Sequence, residues 1–202
     1  MGARRRDLPR VIEAGHWLAA GEVHTAGGRI AVHTQHPEGA EAAIDAGADS
    51  IEHGMLLPER LLDRMAAQGT ALVPAMTVIA HAEAARQVDP PTAFSKFIVE
   101  GVHRHPAIVR AAAEAGVLIL AGTDSADHHG DVANEVALLA AAGVRIEDAL
   151  GAASWNARRF LGRPGIEEGA PADLTVYECD PRSDSAVLAD PARVVLKGRI
   201  LR

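Results

Sequence analysis

The sequence predicts an α/β fold on a parallel sheet, and three observations carry that expectation. Val117-Leu118-Ile119-Leu120 is a short unbroken apolar run, which reads as a strand buried on both faces. Helical stretches close at Ala46-Gly47, Gln68-Gly69 and Ala115-Gly116, each leading into a strand directly or within a few residues. Strand, crossover helix and next strand follow at the spacing of βαβ units, whose crossovers are right-handed. The run from Val117 continues through Ala121-Gly122-Thr123 and stops at Asp124. A carboxylate at the C-terminal tip of a parallel strand stands where α/β barrels keep their chemistry. The competing reading makes Asp124 the cap of the following helix.

Taken in order, residues 1–10 read as a basic tail and residues 11–26 as a helix broken near Gly21 and closed by Gly27-Gly28. Residues 1–21 are thus a tail and helix ahead of the main domain. Arg29-Ile30-Ala31-Val32-His33 is a strand ending in histidine. A helix opens at Pro37-Glu38 and runs from Gly39 to Ala46. Asp49-Ser50-Ile51-Glu52-His53-Gly54 is a second strand ending in histidine. A helix from Pro58 to Ala67 precedes a third strand, Thr70 to Pro74. Residues 77–115 read as mostly helical, interrupted at Asp89-Pro90-Pro91. After the strand that ends at Asp124, helices are expected over 131–142 and 146–160.

Beyond Gly162 the texture changes. Gly165 to Pro171 is turn-rich, Ala172 to Glu178 alternates as a strand, and Lys197-Gly198 between two short β runs signals a hairpin. The expected division is therefore 22–162 for the α/β part and 163–202 for a small antiparallel β element.

Composition narrows the function classes. The chain has 202 residues, 48% of them hydrophobic, enough for a sizeable core. A net charge of −7, with Arg4-Arg5-Arg6 as its one basic cluster, argues against a nucleic-acid partner. No apolar run approaches the roughly 20 residues of a membrane span. Cys179 is the single cysteine, so no disulfide framework is available and a reducing compartment, the cytoplasm, is expected. The basic N-terminus has no apolar stretch after it, so no secretory leader is expected.

Ten histidines are many for this length, and their placement separates them. His33, His53 and Asp124 each close an apolar strand, and parallel strand tips converge on one face. Two imidazoles and a carboxylate suit a divalent ion such as zinc. Any one of them alone would be read as an ordinary hydrogen-bonded side chain. His36 and His129 lie in loops beside these tips and are candidates for pocket lining and substrate contact. His16, His24 and His81 read as helix-surface residues. Glu135 reads as a salt-bridge or capping residue, and Glu52, alternating away from His53, as pointing to the wall or a neighbouring helix. His103-Arg104-His105 falls in a helical run, where two histidines at that spacing do not share a face.

Ile30 to His33, Ser50 to Gly54 and Ala121 to Ser125, with the tail Ala152 to Asn156, Ala170 to Leu174 and Val195 to Gly198, resemble the C-terminal half of the amidohydrolase superfamily. The resemblance is to its imidazolonepropionase-like and Xaa-Pro dipeptidase-like branch and covers nearly all of 22–202. It implies a partial TIM-type (β/α) barrel, strands five to eight, followed by a small antiparallel β-sandwich remnant. His33 would be the strand-five metal ligand, His53 the strand-six ligand, and Asp124 the strand-eight ligand and catalytic proton carrier. The implied reaction is hydrolysis of a C–N bond in a small amide, cyclic amide or dipeptide by metal-activated water, with one or two divalent ions, zinc foremost.

The departure from the family pattern is large. A strand-one His-x-His and a strand-four lysine have no counterpart, since the two lysines, Lys96 and Lys197, lie in a helix and a hairpin. The alternative expectation is a non-catalytic truncated remnant, or a subunit that works only as a homodimer or with a missing N-terminal half. On either account, weak metal binding and little activity are expected of this chain alone.

Overall fold

The computed structural model describes residues 20–82, 89–125 and 131–202. Two three-stranded sheets organise them, one parallel and one antiparallel.

The parallel sheet has the order β1 (Ala31–Thr34), β2 (Ser50–His53), β3 (Ala71–Val73). Its register pairs His33 with Glu52, Thr34 with His53, Ile51 with Leu72 and Glu52 with Val73. The expected fourth strand at 117–122 lies beside β3 but joins it through one parallel bridge, Leu72 to Ile119. Leu72 N donates to Leu118 O, and Leu120 N to Leu72 O, each at 2.9 Å. The chain then leaves the sheet, and Ala121 N donates to Ala152 O at 3.0 Å. An α/β fold is therefore present, while no closed barrel forms among the described residues.

Helices α1 (Ala20–Thr25), α2 (Pro37–Asp45) and α3 (Leu62–Gln68), the last entered by a 3-10 turn at Glu59–Leu61, follow the expected sequence. Gly69 ends α3 at φ +78°, a left-handed closure that lets Thr70 N reach Met65 O at 3.0 Å. The long helical region resolves into α4 (Met76–His81) and α5 (Ala93–Glu114). A reciprocal capping box starts α5: Ser95 N donates to Thr92 Oγ1, and Thr92 N donates to Ser95 Oγ. Its buried stripe, Ile98, Gly101, His105, Ile108 and Ala112, keeps the 3.6-residue period. Gly101 lets the helix come close there: a Cβ would stand 2.6 Å from Met55 Sδ and force that buried side chain to shift.

Helix α6 (Val132–Ala141) matches expectation, but the single helix expected over 146–160 is two, α7 (Ile146–Ala152) and α8 (Trp155–Phe160). Ser154, at φ −140° and ψ −102°, breaks the helical path between them. The core lies between the outer face of the sheet and these helices, with Ile44, Ile51, Met65, Leu72, Val109 and Leu139 all fully buried. Burying a Leu or Ile side chain contributes about 2 kcal/mol, so this layer is what holds the sheet's tips in place.

The second sheet, β4 (Leu174–Val176), β5 (Arg193–Leu196) and β6 (Arg199–Ile200), is the expected antiparallel element with its Lys197-Gly198 turn. Arg158 of α8 ties it to the α/β part by donating to Pro164 O and Asp173 O. No helix among the described residues is long and apolar enough to cross a membrane.

Candidate active site

A pocket of about 310 Å³ opens at the C-terminal ends of the parallel strands. His33, Glu52, His53, Val73, Ala75, Gly122 and Asp124 line it. Three of these, His33, Glu52 and Val73, stand at one level of the sheet, so strand alternation alone turns their side chains the same way. The expectation that Glu52 points away from the site is therefore corrected.

His53 reaches the pocket by another route. Alternation would send it to the face of Ile51, but its backbone is left-handed, at φ +63°. Ala75 and Asp124, also on the pocket wall, are left-handed at φ +50° and +46°. Each chain thus turns sharply as it leaves the sheet.

The rings of His33 and His53 meet edge to face, with centroids 4.6 Å apart and planes at 79°. His53 Nε2 lies 3.5 Å from Asp124 Oδ2, an ion-pair distance beyond a good hydrogen bond. The Asp124 side chain is 63% exposed against 6% for His53, so the carboxylate faces the solvent side of the pocket. Burial, followed by the neighbouring His33, pushes the His53 imidazole below its ordinary range, while Asp124 opposes. Burial pushes the Glu52 carboxyl up, against the hydrogen bond that Ser50 Oγ donates to it at 2.6 Å.

The expected metal ligands His33, His53 and Asp124 therefore share one pocket. Their donor types fit a divalent ion: a lowered imidazole is neutral at pH 7, the form that binds metal, and His53 Nδ1 is buried with no partner among the described residues. As placed, the donors line a common wall, and no cluster of three or more His, Cys, Asp or Glu able to hold an ion forms among the described residues. His36 stacks on Phe97 at 4.5 Å and is not in the lining. His24 pairs with Asp49 at 2.9 Å. His129 lies outside the described residues.

Two residues behind the pocket were not picked out for it by the sequence. His105, in the middle of α5, is 1% exposed, and its Nε2 lies 2.9 Å from the backbone carbonyl of His53. Burial lowers its pKa to about 4. Glu135 of α6, fully buried, accepts from Met76 N, Thr77 N and Thr77 Oγ1 at 2.9, 2.7 and 2.7 Å. It caps the start of α4 immediately after Ala75. Burial raises its pKa despite these donors.

Among solved structures, the chain superposes on a Xaa-Pro dipeptidase with bound methionine in its active site, at a TM-score of 0.80 and 27% identity. The match covers 90% of this chain and 47% of that one. The ochratoxinase of A. niger gives a TM-score of 0.80 at 25% identity, over 91% of this chain and 44% of that one. In sequence, the uncharacterized protein Rv2915c of Mycobacterium tuberculosis is 41% identical over 182 residues, 87% of this chain and 48% of the relative. The uncharacterized protein Mb2939c of Mycobacterium bovis matches to the same extent. The chain spans about half the length of the curated relatives it matches. The family model described as the amidohydrolase family matches residues 17–201, nearly the whole sequence, and the chain belongs to that family.

Proposed function

We propose that this chain carries part of the active site of a metal-dependent amidohydrolase, which hydrolyses a C–N bond in a small amide, cyclic amide or dipeptide. The observation that carries the reading is the shared pocket of His33, His53 and Asp124, two residues from the ends of β1 and β2 and one from the segment that runs beside β3. Membership of the amidohydrolase family and the likeness to a Xaa-Pro dipeptidase support the reaction class.

In this reading His33, His53 and Asp124 hold a divalent ion, with zinc the first candidate for such a donor set. A bound ion supplies Lewis acidity toward water and the scissile carbonyl. Asp124, exposed at the pocket edge, takes a proton from the attacking water and passes it to the leaving amine. His53, kept neutral by burial, presents a nitrogen lone pair rather than a positive charge. Glu52 adds a second carboxyl to the wall, held by Ser50.

The test is metal content by elemental analysis on the size-exclusion peak of the purified 202-residue chain, with hydrolysis of Xaa-Pro dipeptides assayed on the same fractions. Weak zinc uptake on a discrete species, lost in His53→Ala, is the expected result. A discrete, folded, metal-free species that takes up no added zinc overturns metal binding by this chain alone.

A further inference from the structure

We propose that His105 is the positioning residue for His53: through the His53 carbonyl it keeps that imidazole turned into the pocket. The proposal rests on the reading of His53 as a metal ligand. Three observations converge on it.

The orientation of His53 needs a cause. Pleat alternation directs its side chain to the helix side of the sheet, and only the left-handed backbone at φ +63° brings the ring beside His33. That rotation also reorients the carbonyl. It finds its partner in His105 Nε2, at 2.9 Å, 52 residues away in sequence. A carbonyl only accepts, so Nε2 carries the proton and His105 is the Nε2–H tautomer.

The burial of His105 also needs a cause. It sits in the apolar stripe of α5, its Nδ1 is buried with no partner among the described residues, and a leucine there would avoid that desolvation. Among the described residues, the one polar contact made by the ring is the bond to the His53 carbonyl.

Finally, α5 grips the same turn from its far side. Gly101, one helical turn before His105, lets the helix close onto Met55, two residues after His53. The turn at 53–55 is held at its carbonyl and at its side chain by one helix.

The test uses the full chain, zinc alone as the probe, and four proteins: wild type, His105→Leu, His105→Gln and Val109→Ala. Val109 is fully buried in the same helix and lies outside the pocket lining. Zinc affinity is read by competition with a chromophoric chelator. The ring orientation is read without metal, from imidazole 15N–1H spectra. His105→Leu should weaken zinc binding about tenfold or more, the range for loss of a group that orients a ligand. It should also shift the His53 ring signals. His105→Gln, which keeps an N–H donor, should recover most of both effects. Val109→Ala should lower stability and change neither.

Unchanged zinc affinity and unchanged His53 signals in His105→Leu overturn the proposal, as does an equal loss in Val109→Ala. If the wild-type chain takes up no zinc, the metal reading fails, and the His53 signals alone decide the positioning claim. If His105→Leu does not fold, the wild-type spectrum decides: a protected Nε2 proton on His105 supports the proposal and its absence overturns it.

Discussion

Removing the Glu135 carboxyl should cost more stability than its place on a surface-lying helix would lead one to expect. Glu135→Ala leaves two backbone N–H groups and the Thr77 hydroxyl without their acceptor, all in a buried setting. An unsatisfied buried donor costs about 1–3 kcal/mol, and water entering the space left by the side chain offsets part of it, so a total loss of about 3 kcal/mol is expected. That is a large share of the roughly 5–15 kcal/mol that holds a domain folded. The assay is urea denaturation at pH 7 on a double-mutant cycle with Thr77→Val. In the wild type, Thr77→Val should cost about 1.5 kcal/mol; in the Glu135→Ala background, where the acceptor is already gone, it should cost much less. Strict additivity, or a loss in Glu135→Ala no larger than in an exposed alanine substitution, would refute the claim that one carboxylate ties α6 to the start of α4.

Further outcomes are expected at other places. The folded-state pKa of Glu135 is raised, so protonation adds an increment of stability to that of its hydrogen bonds; the increment is complete below the unfolded value of about 4.3 and is lost as pH rises through the folded one. The stability gap between wild type and Glu135→Gln should therefore narrow from acid toward neutral pH in parallel urea titrations. Gly101→Ala should destabilise the chain despite a helix-propensity gain of about 1 kcal/mol, since the new Cβ meets Met55 Sδ and Cγ at 2.6 and 2.7 Å; a raised melting temperature would contradict this. Ile51→Ala, at the fully buried centre of β2, should cost about 2–5 kcal/mol in the same denaturation assay.

Much of the site is legible in the sequence because strand tips are simple to find. An apolar run that stops at a polar residue marks both the strand and its end, and His33, His53 and Asp124 were reachable on that rule. The pleat rule then fails at His53. It is sound for His33 and Glu52, which share a level, but His53 leaves it through a left-handed turn. A non-glycine residue gives no local sign of that conformation. The sequence leaves Glu135 as either a salt-bridge or a capping residue; it is a cap, but the helix it caps is α4, more than 50 residues earlier, and no local pattern shows that. His105 was set aside with His103 because a helix does not put the two on one face. That inference stands, and it hid the fact that one of them alone reaches the back of β2. The apolar run before Asp124 predicts a strand over 117–122. Gly122 instead packs so tightly beside Val73 that a Cβ would come within 2.7 Å of Val73 Cγ1, and the chain parts from β3 after a single bridge.

The three left-handed residues on the pocket wall also bear on how the protein could be made more robust. Held by side chains that glycine lacks, His53, Ala75 and Asp124 each carry a conformational penalty of about 1 kcal/mol or more. Ala75 is the one whose side chain has no proposed chemistry. Ala75→Gly would release the penalty in the fold but free the unfolded chain as well, so the net gain is small, while the wall beside Val73 loses its methyl group. Relief of backbone strain at Ala75 thus falls inside the pocket, where selection for thermal endurance and selection for a shaped cavity pull in opposite directions.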